Sequence, residues 1–72
     1  MSSAEIAAMV ARTAPAVLAL LEDGVPRTRQ AIVAALAAQH PKEDVTRTLM
    51  RLAVTGQLQE SGGRYSLMPE QR

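Results

Sequence analysis

The residues of this chain best suited to chemistry are two arginines one helical turn apart, Arg47 and Arg51. Successive residues of a helix project about 100° apart, so side chains four positions apart lie side by side. With Val45 as origin, Leu49, Leu52 and Ala53 fall within about 80° of it and form a buried stripe. Glu43, Arg47, Met50, Arg51 and Val54 fall on the opposite side, with Thr46 on a flank. Like charges at this spacing repel by about a few tenths of a kcal/mol, so helix stability does not select them. A polyanion would. A guanidinium fork matches guanine O6/N7 or a phosphate, while Met50 and the Thr46 methyl match a thymine methyl. The plainer alternative is a Glu43–Arg47 ion pair, since the same spacing suits opposite charges.

Other chemistry fails on spacing. Glu22-Asp23 and Glu43-Asp44 are adjacent pairs, which do not face each other on a helix and make poor acid/base dyads. His40 precedes Pro41 at a helix end, where a dipole interaction explains it better than catalysis or metal binding. Gly62-Gly63 lacks the Lys-Ser/Thr that follows a phosphate loop. Without cysteine there is neither a disulfide nor a thiolate metal site. No enzyme activity, cofactor or metal is expected.

The charge is distributed unevenly. The total is +1, but residues 1–23 carry −2 and residues 24–72 carry +3. Arg27, Thr28 and Arg29 surround the start of a second helix, where backbone amides already favour a phosphate, and Arg64 follows the glycine turn. These four are the candidate phosphate contacts; Thr46, Arg47, Met50 and Arg51 are the candidate base contacts.

The elements that must position these residues are small. A chain of 72 residues is one domain, and burial of roughly 60% of its unfolded surface is marginal without a staple. Hydrophobic content of 47%, with thirteen alanines, one tyrosine and no Phe or Trp, requires an aliphatic core of closely packed helices. Seven arginines to one lysine and no asparagine suggest a GC-rich bacterial genome. Uninterrupted apolar runs such as Ala31 to Ala38 are far short of the ~20 residues that span a bilayer. No targeting segment is recognisable, no membrane association is expected, and a cytoplasmic location is the default reading.

Along the chain, Ser2 and Glu5 have capping-box spacing for a helix from about Ser3. Pro15 is read as the first turn of a new helix capped by Thr13, with a kinked continuous helix as the competing reading. Gly24 ends that helix, and Val25-Pro26-Arg27 is an extended connector. Thr28 caps a helix to about Gln39, with Ile32, Ala35 and Leu36 buried and Val33 at the edge. Lys42-Glu43-Asp44 opens a third helix that Gly56 terminates. Leu58–Glu60, a Ser61-Gly62-Gly63 turn and Arg64–Leu67 then form a β-hairpin, with Tyr65 and Leu67 on one face. Residues 68–72 read as a flexible tail.

Leu21 with Gly24-Val25-Pro26, Thr28–Ile32, Val45–Leu52, Gly56-Gln57-Leu58 and Gly62–Leu67 together resemble a winged helix-turn-helix domain of the small bacterial regulator type. The resemblance covers about Pro15 to Leu67. It implies a mainly α fold with a small β-hairpin: a three-helix core plus wing over about 15–67, and an extra N-terminal helical segment over 1–13. Residues 41–49 and 56–59 are also similar to the left-handed-nucleic-acid-binding (Zα) winged helices. Thr46 and Met50 stand where those domains carry asparagine and tyrosine, and the wing tryptophan is missing, so the similarity reads as shared scaffold.

The resemblance implies sequence-dependent binding of double-stranded DNA by a small transcriptional regulator, the third helix in the major groove and the wing on the backbone. The alternative is a winged-helix docking module inside a larger complex, since this fold serves many roles. A homodimer through Ile6, Met9 and Val10 of the N-terminal segment would supply further buried area.

Overall fold

The computed structural model describes residues 1–69; residues 70–72, part of the expected tail, lie outside the described residues. Three helices are followed by a hairpin: α1 (Ser3–Leu20), α2 (Arg29–Leu36), α3 (Lys42–Val54), β2 (Leu58–Ser61) and β3 (Arg64–Leu67). A two-residue strand, β1 (Arg27–Thr28), precedes α2 and joins the hairpin in an antiparallel sheet of order β1-β3-β2. Of the expected Val25-Pro26-Arg27 connector, only Arg27 belongs to this strand. Its Arg27 faces Tyr65 and its Thr28 faces Arg64 across the ladder.

The first helix corrects the expected break at Pro15. It runs unbroken from Ser3 to Leu20, so Thr13 is not a cap and no new helix begins there. An interior proline removes one i→i−4 bond and disfavours the turn before it, a cost of about 3 kcal/mol. Burial offsets that cost. Met9, Thr13 and Val17 recur every four residues on one inaccessible stripe, continued by Leu21, while Ala11 and Pro15 are exposed. The capping box at the start does form: the Ser2 amide donates to Glu5 Oε1 (2.9 Å), and the Glu5 amide donates to Ser2 Oγ (3.1 Å). Because the helix continues, the Ser3–Asp23 segment has a mean hydropathy of 1.6 over its best window. It is long and apolar enough to cross a membrane by length and composition, a property that counting uninterrupted apolar residues does not reveal.

The other boundaries follow local chemistry. After one turn of 3-10 helix (Leu21–Asp23), Gly24 takes φ +79°, the left-handed cap conformation. Thr28 Oγ1 accepts from the Ala31 amide (3.1 Å) and starts α2. That helix ends at Leu36, three residues before the expected Gln39, and closes in turns whose Gln39 and His40 amides donate to the Leu36 carbonyl. Helix α3 ends as expected at Gly56. The Gln57 amide donates to Leu52 O and the Gly56 amide to Ala53 O, which is a Schellman motif. In the hairpin Ser61 belongs to β2, paired with Arg64, so only Gly62 and Gly63 turn the chain. Both have positive φ (59° and 78°), the type I′ turn that matches strand twist.

The core is aliphatic: Val17, Leu21, Ile32, Val45, Leu49, Leu52, Leu58 and Leu67 are buried. Leu36, Val33 and Tyr65 pack at its edge. Ala35, expected on the buried stripe of α2, is exposed, and Ala53 is only half-buried. Thr48 is buried in their stead. It lies about 60° from Val45 around α3, within the same arc. Met68 is half-buried and its amide donates to Gln57 O (3.4 Å), so this end of the expected tail is tied to the hairpin.

Candidate functional site

Burial of Val45, Thr48, Leu49 and Leu52 fixes the rotation of α3 and turns Arg47, Met50, Arg51 and Val54 to solvent. Met50 is 58% and Val54 84% exposed, high for side chains that gain from burial. Among the described residues the one ion pair is Arg27–Asp23. The alternative Glu43–Arg47 pair does not form. The Arg47 guanidinium instead donates to Met1 Sδ (2.7 Å), and Arg51 has no carboxylate partner among the described residues.

The remaining candidates divide into two groups. Thr46 is half-buried with Oγ1 shielded from solvent and unpartnered among the described residues, so its hydroxyl is withheld from the outer face. Arg27 is committed to Asp23 Oδ2 at 2.6 Å. The Asp23 carboxyl is held below its ordinary pKa chiefly by the Val25 amide (3.0 Å) and further by Arg27. Thr28 spends its oxygen on the Ala31 cap. Arg29 and Arg64 are exposed and free of carboxylates among the described residues. Arg64 opens β3 immediately after the turn.

Shallow clefts connect these positions. A cleft of about 360 Å³ between α1 and the outer face of α3 is lined by Ile6, Arg47, Met50, Arg51, Val54 and Thr55. Arg47 also borders the next cleft, which it shares with Lys42, Glu43 and Thr46. Lys42 borders a third beside Arg29, Gln30 and Val33. Arg29 borders a fourth that reaches Gly63 and Tyr65 of the hairpin. Arg51, Arg47, Lys42 and Arg29 thus lie along one track ending at the glycine turn. Glu43 and Glu60 interrupt it, but Glu60 Oε2 is engaged by the Gly63 amide (3.1 Å).

Three residues of this surface are not evident as contacts from the sequence. Lys42 has only the signal of a cation at the first position of α3. Val54 falls on the outer side by periodicity, which assigns it no role. Ile6 is expected with Met9 and Val10 on a dimer face, yet Met9 is fully buried, its Sδ accepting from Thr48 Oγ1 (3.4 Å). That withdraws Met9 from any interface between copies and leaves Ile6 and Val10 half-buried. Comparison with protein-family models, with curated proteins and with solved structures finds no match to this chain.

Proposed function

We propose that this chain is a winged helix-turn-helix protein that binds double-stranded DNA and acts as a small transcriptional regulator. The observation that carries the reading is the linked track of Arg51, Arg47, Lys42 and Arg29 ending at the hairpin turn. In this reading α2 and α3 are the helix-turn-helix, α3 enters the major groove, and β2–β3 is the wing. Arg47 and Arg51 meet guanine edges or phosphates, and Met50 meets thymine methyls. Arg29, Lys42 and Arg64 hold phosphates and set the register without reading sequence. Thr28 orders the start of α2, and Arg27 acts within the fold through Asp23. A homodimer through the N-terminal helix belongs to the same proposal, with Val10 as the apolar residue left for it outside the α1–α3 cleft.

The test is the salt dependence of binding to a random duplex. Replacing Arg29 and Lys42 together with glutamine is expected to reduce the slope of log K against log salt by about two, one counterion per phosphate contact. Replacing Arg27 is expected to leave the slope within about half a unit, because its guanidinium already faces a carboxylate. Equal slopes for the double variant and the parent would overturn the assignment of the track.

A further inference from the structure

The cleft between α1 and α3 has a property that phosphate binding does not call for. Its walls carry three aliphatic or thioether side chains, Ile6, Met50 and Val54, beside two arginines, and among the described residues no carboxylate lines it. Val54 is the most exposed of the large hydrophobic residues among those described, and Met50, one turn earlier on α3, is exposed as well. A duplex offers such side chains little beyond thymine methyls. The two helices pack against each other beside this cleft: Met9 Sδ of α1 accepts from Thr48 Oγ1 of α3, and the opening lies between Ile6 and the Arg47–Thr55 stretch. A trough between two packed helices is a shape that a third amphipathic helix fills.

We infer that this trough is a docking site for an amphipathic helix of a protein partner, apolar along one stripe and acidic along its edges. Apolar side chains one turn apart on the partner cover Ile6, Met50 and Val54. Carboxylates on its flank pair with Arg47 and Arg51, whose fork geometry suits bidentate contact and which lack a carboxylate partner among the described residues. Charge complementarity selects this occupant: a second copy would bring the same two arginines against each other, and a basic helix would be repelled. A helix seated there covers Arg47 and Arg51, so it competes with duplex DNA for this face. Only that competition rests on the DNA-binding reading; the docking itself does not.

The test uses a synthetic helical peptide of about four turns with leucines at i, i+4 and i+7 and glutamates on both flanks. Two controls are run: a scrambled peptide of equal composition and one with glutamine for glutamate. Titrated into the isotope-labelled chain, the first peptide is expected to shift Ile6, Met50, Arg51 and Val54 and to bind about ten-fold more tightly than either control. Val54→Ser, at a position so exposed that the fold is unaffected, is expected to weaken it about five-fold, as is Arg51→Gln. Equal binding of the scrambled peptide, or no shift at about 1 mM, would overturn the docking site. A labelled duplex is then expected to be displaced by the peptide, and simultaneous binding of both would overturn the shared face. The peptide titration is read without DNA, so it tests the trough even if the chain ignores the duplex.

Discussion

The two faces of α3 obey opposite rules. Inward, Val45, Thr48, Leu49 and Leu52 are inaccessible and bind the helix to α1, α2 and the hairpin. Outward, Arg47, Met50, Arg51 and Val54 add little to the fold: Arg47 donates to Met1 Sδ, the cations have no carboxylates among the described residues, and the apolar side chains remain in water. The inner face is explained by stability alone. The outer face is not, and residues that folding leaves unexplained are where a ligand is sought.

The largest expected effect tests the inner face. Leu49→Ala removes a fully buried side chain and is expected to cost about 2–5 kcal/mol, read as a lower denaturation midpoint. On the outer face, Arg47→Gln is expected to change stability by less than about 0.5 kcal/mol. The same change is expected to cost about 1–3 kcal/mol of binding at a preferred duplex site. A loss of stability as large as that of Leu49→Ala would erase the contrast between the faces.

A smaller effect concerns α1, where Thr13 is inaccessible and its Oγ1 has no partner among the described residues. Thr13→Val is expected to raise stability by about 1 kcal/mol, since an unsatisfied buried hydroxyl carries a desolvation penalty. Arg64→Ala is expected to leave the denaturation midpoint unchanged and to lower the salt slope of duplex binding by about one.

The smallest effect is acid sensitivity. Glu5 is held below its ordinary pKa by the backbone amide of Ser2 first and its side chain second, and Asp23 by the Val25 amide first. A carboxyl depressed in the folded state stabilises it above the unfolded pKa and loses that contribution as pH falls through the folded value. Stability is therefore expected to be level from neutrality to about pH 5 and to decline below about pH 4. Glu5→Gln and Asp23→Asn are each expected to make that decline shallower. A chain whose midpoint rises on acidification would contradict both assignments.

Local chemistry was legible in the sequence. The Ser2–Glu5 box, the Thr28 cap, Gly24, Gly56 and the Gly62-Gly63 turn are all where spacing puts them, because each is decided by two to four neighbouring residues. The continuity of α1 was hidden because proline's local penalty is overruled by tertiary burial of Met9, Thr13 and Val17. Strand β1 was hidden because two residues have no periodicity, and their pairing is made with β3 far along the chain. At the surface, helical periodicity places Arg47, Met50 and Arg51 outward. It is silent on Lys42 and Ile6, which join the track only when separate elements are brought side by side. It also sets Thr46 on a flank as a base contact through its methyl, whereas the side chain is half-buried and its Oγ1 is shielded from solvent.

Binding of duplex DNA by the outer face of α3 and the hairpin turn is tested most directly by titrating the isotope-labelled chain with a random duplex at low and moderate salt. Amide shifts are expected at Arg29–Ala31, along the outer positions of Lys42–Val54 and at Gly62–Arg64, shrinking as salt rises. A spectrum unmoved by excess duplex at low salt, or shifts confined to the exposed side of α1, would contradict it.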